Sequence, residues 1–157
     1  MGSEMCIRDR ITGDLGRDDV AGGSGNDQVW GGPDDDLAVR GGTGDDVVGG
    51  GAGDDALIAG NGGEDLVMGD FGDDFLTGGP RSDTLDGGWG DDELKGNKGA
   101  DFIVGWFGDD KLYGGPQADD LWGWVGIDDC NGGTTGEGAL EADQAIACGG
   151  ELSLIHI

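Results

Sequence analysis

An aspartate recurs at a nearly constant interval through most of this 157-residue chain. Successive members are nine or ten residues apart, and the set has thirteen members: Asp18, Asp27, Asp36, Asp46, Asp55, Asp65, Asp74, Asp83, Asp92, Asp101, Asp110, Asp119 and Asp128. Carboxylate oxygens are ligands for hard cations such as Ca²⁺, whereas zinc favours Cys and His, and the repeated segment contains no His. The spacing therefore indicates a row of oxygen-rich cation sites.

The aspartates belong to a nine-residue repeat that also fixes glycine and aliphatic positions. Residues 13–131 divide without gaps into thirteen units, two of which have one extra residue, Arg40 and Ala59. Position one is Gly and position six is Asp in every unit, position four is Gly in ten units, and position eight is Val, Leu or Ile in eleven, the exceptions being Ala38 and Cys130. Glycines at positions one and four are expected to permit positive φ and close backbone approach. The triplet after the aspartate predicts a short strand with position eight inward and positions seven and nine outward.

Composition excludes several classes of function. The chain has 39 Gly and 34 Asp and Glu against 8 Lys and Arg, for a net charge of −26. Nucleic acid is therefore excluded as a partner, because phosphate binding needs a basic surface. No apolar run approaches the roughly 18 residues of a transmembrane segment. The repeats contain no catalytic constellation, since they lack His and since Ser24 and Ser82 fall in turns, so this chain is not expected to be an enzyme.

The repeat matches the nonapeptide G-G-x-G-x-D-x-U-x, where U is a large aliphatic residue. The chain resembles the RTX family, also called haemolysin-type calcium-binding repeats, over residues 13–131. The resemblance implies an all-β fold, a right-handed parallel β-roll in which two units make one coil. It also implies Ca²⁺ bound at the thirteen aspartates. The turn glycines expected beside the ions include Gly22, Gly25, Gly41, Gly44, Gly50, Gly53, Gly69, Gly72, Gly87, Gly90, Gly105 and Gly108.

Two units per coil would place each turn over the turn two units later. Asp18 is then expected near Asp36, and Asp27 near Asp46. Columns of carboxylates repel one another, and Ca²⁺ accepts six to eight oxygens in flexible geometry, whereas Mg²⁺ demands a tight octahedron. Thirteen turns give eleven such pairs, so up to about eleven Ca²⁺ are expected. One inward aliphatic side chain per unit is a thin core, so cation binding is predicted to contribute folding free energy.

Three turns depart from the pattern at positions three and four. All three prolines occupy position three, and each precedes a non-Gly residue at position four: Asp34, Arg81 and Gln117. Proline followed by a residue with negative φ suits a type I turn. These turns are therefore either variants with altered calcium affinity or neutral changes in a tolerant loop.

Some outward strand positions are apolar. One face carries Leu37, Val39, Ala56, Ile58 and Phe75, and the other carries Val47, Leu66 and Met68. This apolar band indicates docking of a flanking domain or partner, or simply the β-propensity of these residues. The five Trp residues read as scattered over turns and strand edges, which favours edge packing over carbohydrate or partner contact.

Residues 132–151 follow the repeats and resemble the C-terminal cap of some secreted RTX-type proteins. In that cap a Cys pair ties the tail to the last coil, which implies a disulfide between Cys130 and Cys148. The open end of a parallel roll needs such a cover. Two free thiols in a reducing compartment are the alternative.

The two ends of the chain read as translated sequencing adapters, namely residues 1–10 and 152–157. Back-translation of residues 5–9 gives DNA whose reverse complement encodes the Leu-Ser-Leu-Ile-His that begins at Leu152. Cys6 and His156 are then expected to carry no functional information. Residues 11–151 are expected to be a fragment truncated at both ends.

The expected function is calcium ion binding by a calcium-dependent folding module of a secreted, extracellular bacterial protein. Two alternatives stay open at this point. The chain could be the C-terminal secretion and folding part of an extracellular protease, lipase or haemolysin whose catalytic domain is missing. It could also belong to a structural or adhesive protein of the cell surface.

Overall fold

The structure, a computed structural model, describes residues 9–133 and 144–146. These residues form strands and turns without a helix, and no helix among them could cross a membrane. The first sheet comprises β1 (Arg10–Thr12), β3 (Gln28–Pro33), β5 (Val47–Ala52), β7 (Leu66–Phe71), β9 (Thr84–Trp89), β11 (Phe102–Phe107), β13 (Asp120–Val125) and β15 (Gln144–Ile146). The second comprises β2 (Asp19–Ser24), β4 (Ala38–Thr43), β6 (Ile58–Gly62), β8 (Phe75–Gly79), β10 (Glu93–Asn97), β12 (Lys111–Tyr113) and β14 (Asp129–Asn131).

Successive strands along the chain alternate between the two sheets. Each strand pairs in parallel with the strand two further on, for example with Val29 opposite Val48 and Val48 opposite Val67. Two repeat units therefore make one coil, and the coils stack into a parallel β-solenoid of about seven turns. The predicted all-β fold is confirmed, and its architecture matches a β-roll.

A single file of aliphatic side chains fills the space between the sheets. Each described coil contributes one residue from each sheet to this core, and Ile11 and Cys130 pack against its two ends. The buried members are Val20, Val29, Val39, Val48, Ile58, Val67, Leu76, Leu85, Leu94, Ile103, Leu112 and Leu121. The inward direction predicted for position eight is confirmed in the nine-residue units that contribute to this list.

The two ten-residue units differ from the prediction. Val39 and Ile58, expected on the outside, are fully buried, whereas Leu57 at position eight is only partly buried. The extra residue enters as a bulge before the core position, because the amides of Leu37 and Ala38 both donate to the Asp18 carbonyl, at 2.8 and 3.4 Å. Arg40 and Ala59 are therefore not the inserted residues, and they pair with each other on neighbouring strands.

The bulges also correct the expected apolar band. Since Val39 and Ile58 belong to the core, that face of the band retains Leu37, Ala56 and Phe75. The tryptophans, in contrast, are not scattered. All five lie in strands of the first sheet: Trp30, Trp89, Trp106, Trp122 and Trp124.

Strands also form at both ends of the repeats. The first begins at Arg10, which pairs with Gln28 and lies one residue before the β-roll predicted for residues 11–131. From the predicted cap, β15 adds to the first sheet beside β13, with Ala145 opposite Leu121. The domain boundaries stay predictions, and Cys148 lies outside the described residues.

The register of the bulged units can be tested by two neighbouring substitutions. Ile58→Ala should lower the free energy of unfolding by about 2–5 kcal/mol, because it leaves a cavity in the single-file core. Leu57→Ala should lower it by about 1 kcal/mol or less, because Leu57 is only partly buried. Urea unfolding in calcium-containing buffer measures both. A larger loss for Leu57→Ala would contradict the register.

Candidate metal centre

The repeated aspartates lie in the turns, one to three residues before a strand. Twelve of them are buried, with only 1 to 8% of each residue exposed. A glycine-rich turn on a thin rod does not by itself require this burial. Asp18, in the first turn, is partly exposed. Burial of so many carboxylates requires that their oxygens find partners.

One carboxylate oxygen of each inner aspartate has such a partner in the neighbouring coil. The backbone amide of Asp55 donates to Oδ1 of Asp74 at 2.8 Å, and the amide of Asp74 donates to Oδ1 of Asp92 at the same distance. The same bond joins Asp18 to Asp36 at 2.8 Å. The stacking of turns two units apart, expected from the sequence, is thereby confirmed.

The second oxygen is buried without a hydrogen bond. This holds for Oδ2 of twelve aspartates: Asp18, Asp27, Asp36, Asp46, Asp55, Asp65, Asp74, Asp83, Asp92, Asp101, Asp110 and Asp128. A buried acceptor without a donor destabilises a fold by about 1–3 kcal/mol, and more when it is charged. Because this unpaired buried oxygen recurs from turn to turn, it indicates that the turns are built around a cation.

Position-one glycines make room for these orphaned oxygens. A Cβ atom built on Gly22 would lie 2.8 Å from Oδ2 of Asp27 and 2.5 Å from the carbonyl oxygen of Gly41 in the next coil. At Gly87 the corresponding distances are 2.5 Å to Oδ2 of Asp92 and 2.8 Å to the carbonyl oxygen of Gly105. A carboxylate oxygen and a carbonyl oxygen thus converge on a space that any side chain would fill.

The structure corrects the expected reason for these glycines. Positive φ occurs at position four, as at Gly25 (123°), but the position-one glycines are not among the described residues with positive φ. Positive φ occurs instead at position two, as at Gly23 (105°) and even at Asp70 (74°). Position one therefore needs glycine for space, and positions two and four shape the turn.

The three proline-containing turns are also partly corrected. Negative φ was expected after each proline, but Asp34 has φ of 79° and Gln117 has φ of 96°. Their side chains hold this geometry, since Oδ2 of Asp34 accepts from the Gly16 amide at 3.0 Å and Oε1 of Gln117 accepts from the Gly99 amide at 3.1 Å. Arg81 is exposed and is not among the described residues with positive φ, in line with the prediction.

A second row of polar side chains, at position five, was missed in the sequence analysis. The Asp54 amide donates to Oδ1 of Asp35 at 3.0 Å, and the Asp73 amide donates to Oδ1 of Asp54 at 3.0 Å. Eight of the thirteen units have Asp, Asn or Glu at this position, so a signal was present. This row is exposed, and its bonds run in the opposite direction to those of the buried row.

Side chains alone do not complete a metal site. Among the described residues, no group of three or more His, Cys, Asp or Glu side chains is close enough to hold an ion. Ca²⁺ needs six to eight oxygens, so the backbone must supply most of them. The carbonyl oxygens that face the orphaned Oδ2 atoms fit that requirement.

Burial raises the pKa of the inner aspartates, mainly because it removes water from the charged form. The pKa rises from 3.8 to about 6 for Asp55, to about 7 for Asp74 and Asp83, and to about 8 for Asp92. The backbone amide bonded to Oδ1 opposes this rise, and neighbouring carboxylates add to it. The row therefore binds positive charge strongly, whether protons or a metal ion.

Comparison with known families supports a cation-binding repeat. A family model described as RTX calcium-binding nonapeptide repeat (4 copies) matches residues 8–38, 39–63, 59–94, 68–103, 86–121 and 95–130. Together these segments run from residue 8 to residue 130. A search of curated proteins finds no match.

In a chelator, acid should substitute for the metal ion. Because the folded pKa of Asp74 and Asp92 lies above the ordinary 3.8, the folded state binds more protons than the unfolded state between about pH 4 and pH 8. The stability of the metal-free roll should therefore be highest near pH 4 and fall as the pH rises through 6 to 8. Far-UV circular dichroism in EDTA should show β-structure increasing on acidification from pH 8 to pH 5. A constant or decreasing β signal over that range would contradict the prediction.

Proposed function

The chain belongs to the family of RTX calcium-binding nonapeptide repeats, and from that premise we propose that it is a calcium-dependent folding module of a secreted bacterial protein. These repeats imply calcium binding. The observation that carries the proposal is the row of buried Oδ2 atoms that face glycine carbonyl oxygens across a space without side chains. A protein that only needed a stable rod would place neutral groups there.

The proposed ligands are the thirteen repeated aspartates together with backbone oxygens of the turns. In each site the ion would be coordinated by the Oδ2 atom of one unit and by the position-one carbonyl oxygen of the unit two further on, as for Asp27 and Gly41. One ion per pair of stacked turns gives up to about eleven. Calcium fits better than magnesium, because backbone oxygens spread around a turn suit flexible coordination and do not form a tight octahedron.

Folding is proposed to depend on the ion because the carboxylates of stacked coils repel one another without it. Each new coil buries two carboxylates directly beneath those of the previous coil, while it adds two aliphatic side chains to the core. Bound calcium supplies the positive charge and the coordination that the buried oxygens otherwise lack. The chain would stay loose where calcium is scarce, inside a cell, and would fold at the higher calcium concentration outside. That difference supports an extracellular location.

The end of the roll is proposed to be closed by a disulfide-tied cap that includes Cys130 and Cys148. Cys130 packs against the end of the core, where such a cap would attach, and Cys148 lies outside the described residues. β15 beside β13 supports a tail that folds back on the last coil. Peptide mapping of the oxidised, calcium-loaded chain should recover Cys130 joined to Cys148, and recovery of alkylated Cys148 would refute the pairing. The winding of the roll is likewise proposed to be right-handed, because crossover connections between parallel strands are generally right-handed.

The two alternative functions rest on further domains. A missing catalytic domain or a cell-surface attachment would each be compatible with the same roll, and no contact among the described residues favours either. The reduced apolar band, with Leu37 and Phe75 on one sheet and Leu66 on the other, is the surface where a flanking domain is proposed to dock.

The central experiment removes and restores the ion. In EDTA at pH 7.5 the chain should be largely unfolded, because the buried carboxylates are then charged and unscreened. Millimolar Ca²⁺ should restore β-structure in far-UV circular dichroism, and millimolar Mg²⁺ should not. A full β signal in EDTA, or an equal response to Mg²⁺, would contradict calcium-dependent folding.

Two substitutions test which residues hold the ion. Asp74 lies between stacked coils on both sides, since its Oδ1 accepts from the Asp55 amide and its own amide donates to Asp92. Asp18 is in the first turn, and its amide donates to Asp36 in one neighbouring coil. Asp74→Asn keeps an oxygen for the Asp55 amide but removes the charge. It should raise the calcium midpoint for folding by about tenfold, and Asp18→Asn by about threefold or less.

The same substitution should act in the opposite direction in EDTA. Removing the buried charge of Asp74 should stabilise the metal-free roll at pH 7.5, because the pKa of Asp74 is raised to about 7 by burial.

For the calcium midpoint, Asp73→Asn is the matched control, since Asp73 is the exposed neighbour in the same turn. A midpoint that rises equally for Asp73→Asn and Asp74→Asn would show that the effect is general electrostatics rather than loss of a ligand.

A further inference from the structure

Aromatic rings gather on the outer surface of the first sheet, in two stacks that run along the rod. The first stack contains Phe71, Trp89 and Phe107, with successive centroids 6.5 and 4.3 Å apart. The second contains Trp106 and Trp124, with centroids 4.9 Å apart. Neither stack belongs to the buried row of aspartates, and the core does not need them, since Trp89 and Trp124 are more than half exposed.

A cleft of about 270 Å³ lies between the two stacks. Its lining includes Trp89 and Phe107 from the first stack, Trp106 from the second, and the side chains of Asp70 and Asp86. Aromatic rings and two carboxylates thus share one concave surface. Most acidic side chains of the described rod stand among glycines, whereas here two of them border aromatic rings.

The cleft exists because one side chain is missing from a column. Asp70, Gly88 and Trp106 are directly opposite one another in successive strands, and Trp124 follows in the next strand. Trp124 covers Trp106 from one side. On the other side Gly88 contributes no side chain, so a gap one strand wide separates the Trp106 ring from Asp70.

The two carboxylates of the cleft have no cationic partner among the described residues. The ion pairs found there are Arg40 with Asp19 and Lys95 with Glu93, both on the second sheet. Asp86 lies close to the Trp106 side chain, whose N–H opposes the rise of the Asp86 pKa. The cleft therefore has negative charge to neutralise.

The lining selects among cations. Ca²⁺ needs six to eight oxygens, and a cleft walled by indole and phenyl rings cannot supply them. An alkylammonium group needs fewer polar partners, because its carbon atoms pack on ring faces and its charge is stabilised by π electrons and by one or two carboxylates.

The geometry points to a binding site for a small soluble quaternary ammonium ion, whose methyl groups pack against the face of Trp106 that is turned to the gap, while its charge lies between Asp70 and Asp86. This site is separate from the turn sites, since no repeated aspartate lines it.

The test is an NMR titration of the calcium-loaded full chain with tetramethylammonium chloride, after circular dichroism has established its β-structure. Sodium chloride at equal ionic strength is the blank. The indole N–H signal of Trp106, identified by its loss in Trp106→Phe, should shift saturably with tetramethylammonium and not with sodium. An unsaturated drift equal to that in sodium chloride would overturn the proposal.

Charge variants locate the site. Asp70→Asn should weaken tetramethylammonium binding about fivefold, since it removes one carboxylate near the charge, and Asn tolerates the φ of 74° at this position. Asp129→Asn removes one charge from the exposed surface of the second sheet and should leave the affinity unchanged. Equal weakening by both variants, or displacement of tetramethylammonium by added Ca²⁺, would overturn the proposal.

Discussion

A buried aspartate oxygen without a donor is the constraint on which the rest of this structure depends. Oδ2 of Asp74 can be buried only if a cation reaches it, and a cation can reach it only if the neighbouring position one has no side chain. That requirement accounts for Gly69 and Gly87, and the repeat every two units accounts for the column of identical sites. In the proposed arrangement the ion is shared between coils, so stacking and binding become one event, and the core has only one aliphatic side chain per strand.

Most of this architecture could be predicted from the period of the sequence. Nine residues with fixed Gly, Asp and aliphatic positions predict turns, short strands and stacking two units apart, and the bond from Asp18 to Oδ1 of Asp36 confirms that stacking. The ten-residue units could not be predicted correctly, because Ala38 and Val39 are both apolar and the pattern does not say on which side of the core position a residue is inserted. The hydrogen-bond pattern of the bulge decided it, with two amides on the Asp18 carbonyl.

The sequence predicts that glycines shape the turns, but it does not say which glycine position is needed for space and which for positive φ. Position one and position two are both commonly glycine, so sequence alone does not separate a glycine needed for space from one needed for positive φ. The non-Gly residues that occupy position two, Asp70 and Trp106, reveal the difference, since they adopt φ near 75° without any loss of room. At position one a Cβ would meet Oδ2 of the aspartate in the same unit, and at Gly22 and Gly87 it would also meet a carbonyl oxygen of the next coil, which is why all thirteen units keep glycine there.

A solenoid turns each repeat position into a column in space, and this decides how new sites arise on it. A residue that looks isolated in the sequence, such as Trp106, lies one coil from its counterparts, here Gly88 and Trp124. Replacement of one member of a column by glycine leaves a gap with walls already in place. The buried column is uniform because its members bury the same carboxylate oxygen, whereas the outer columns are free to vary. Chemistry specific to this chain is therefore expected on the outer surface of the first sheet, where its tryptophans lie, while the turns keep the composition that the family requires.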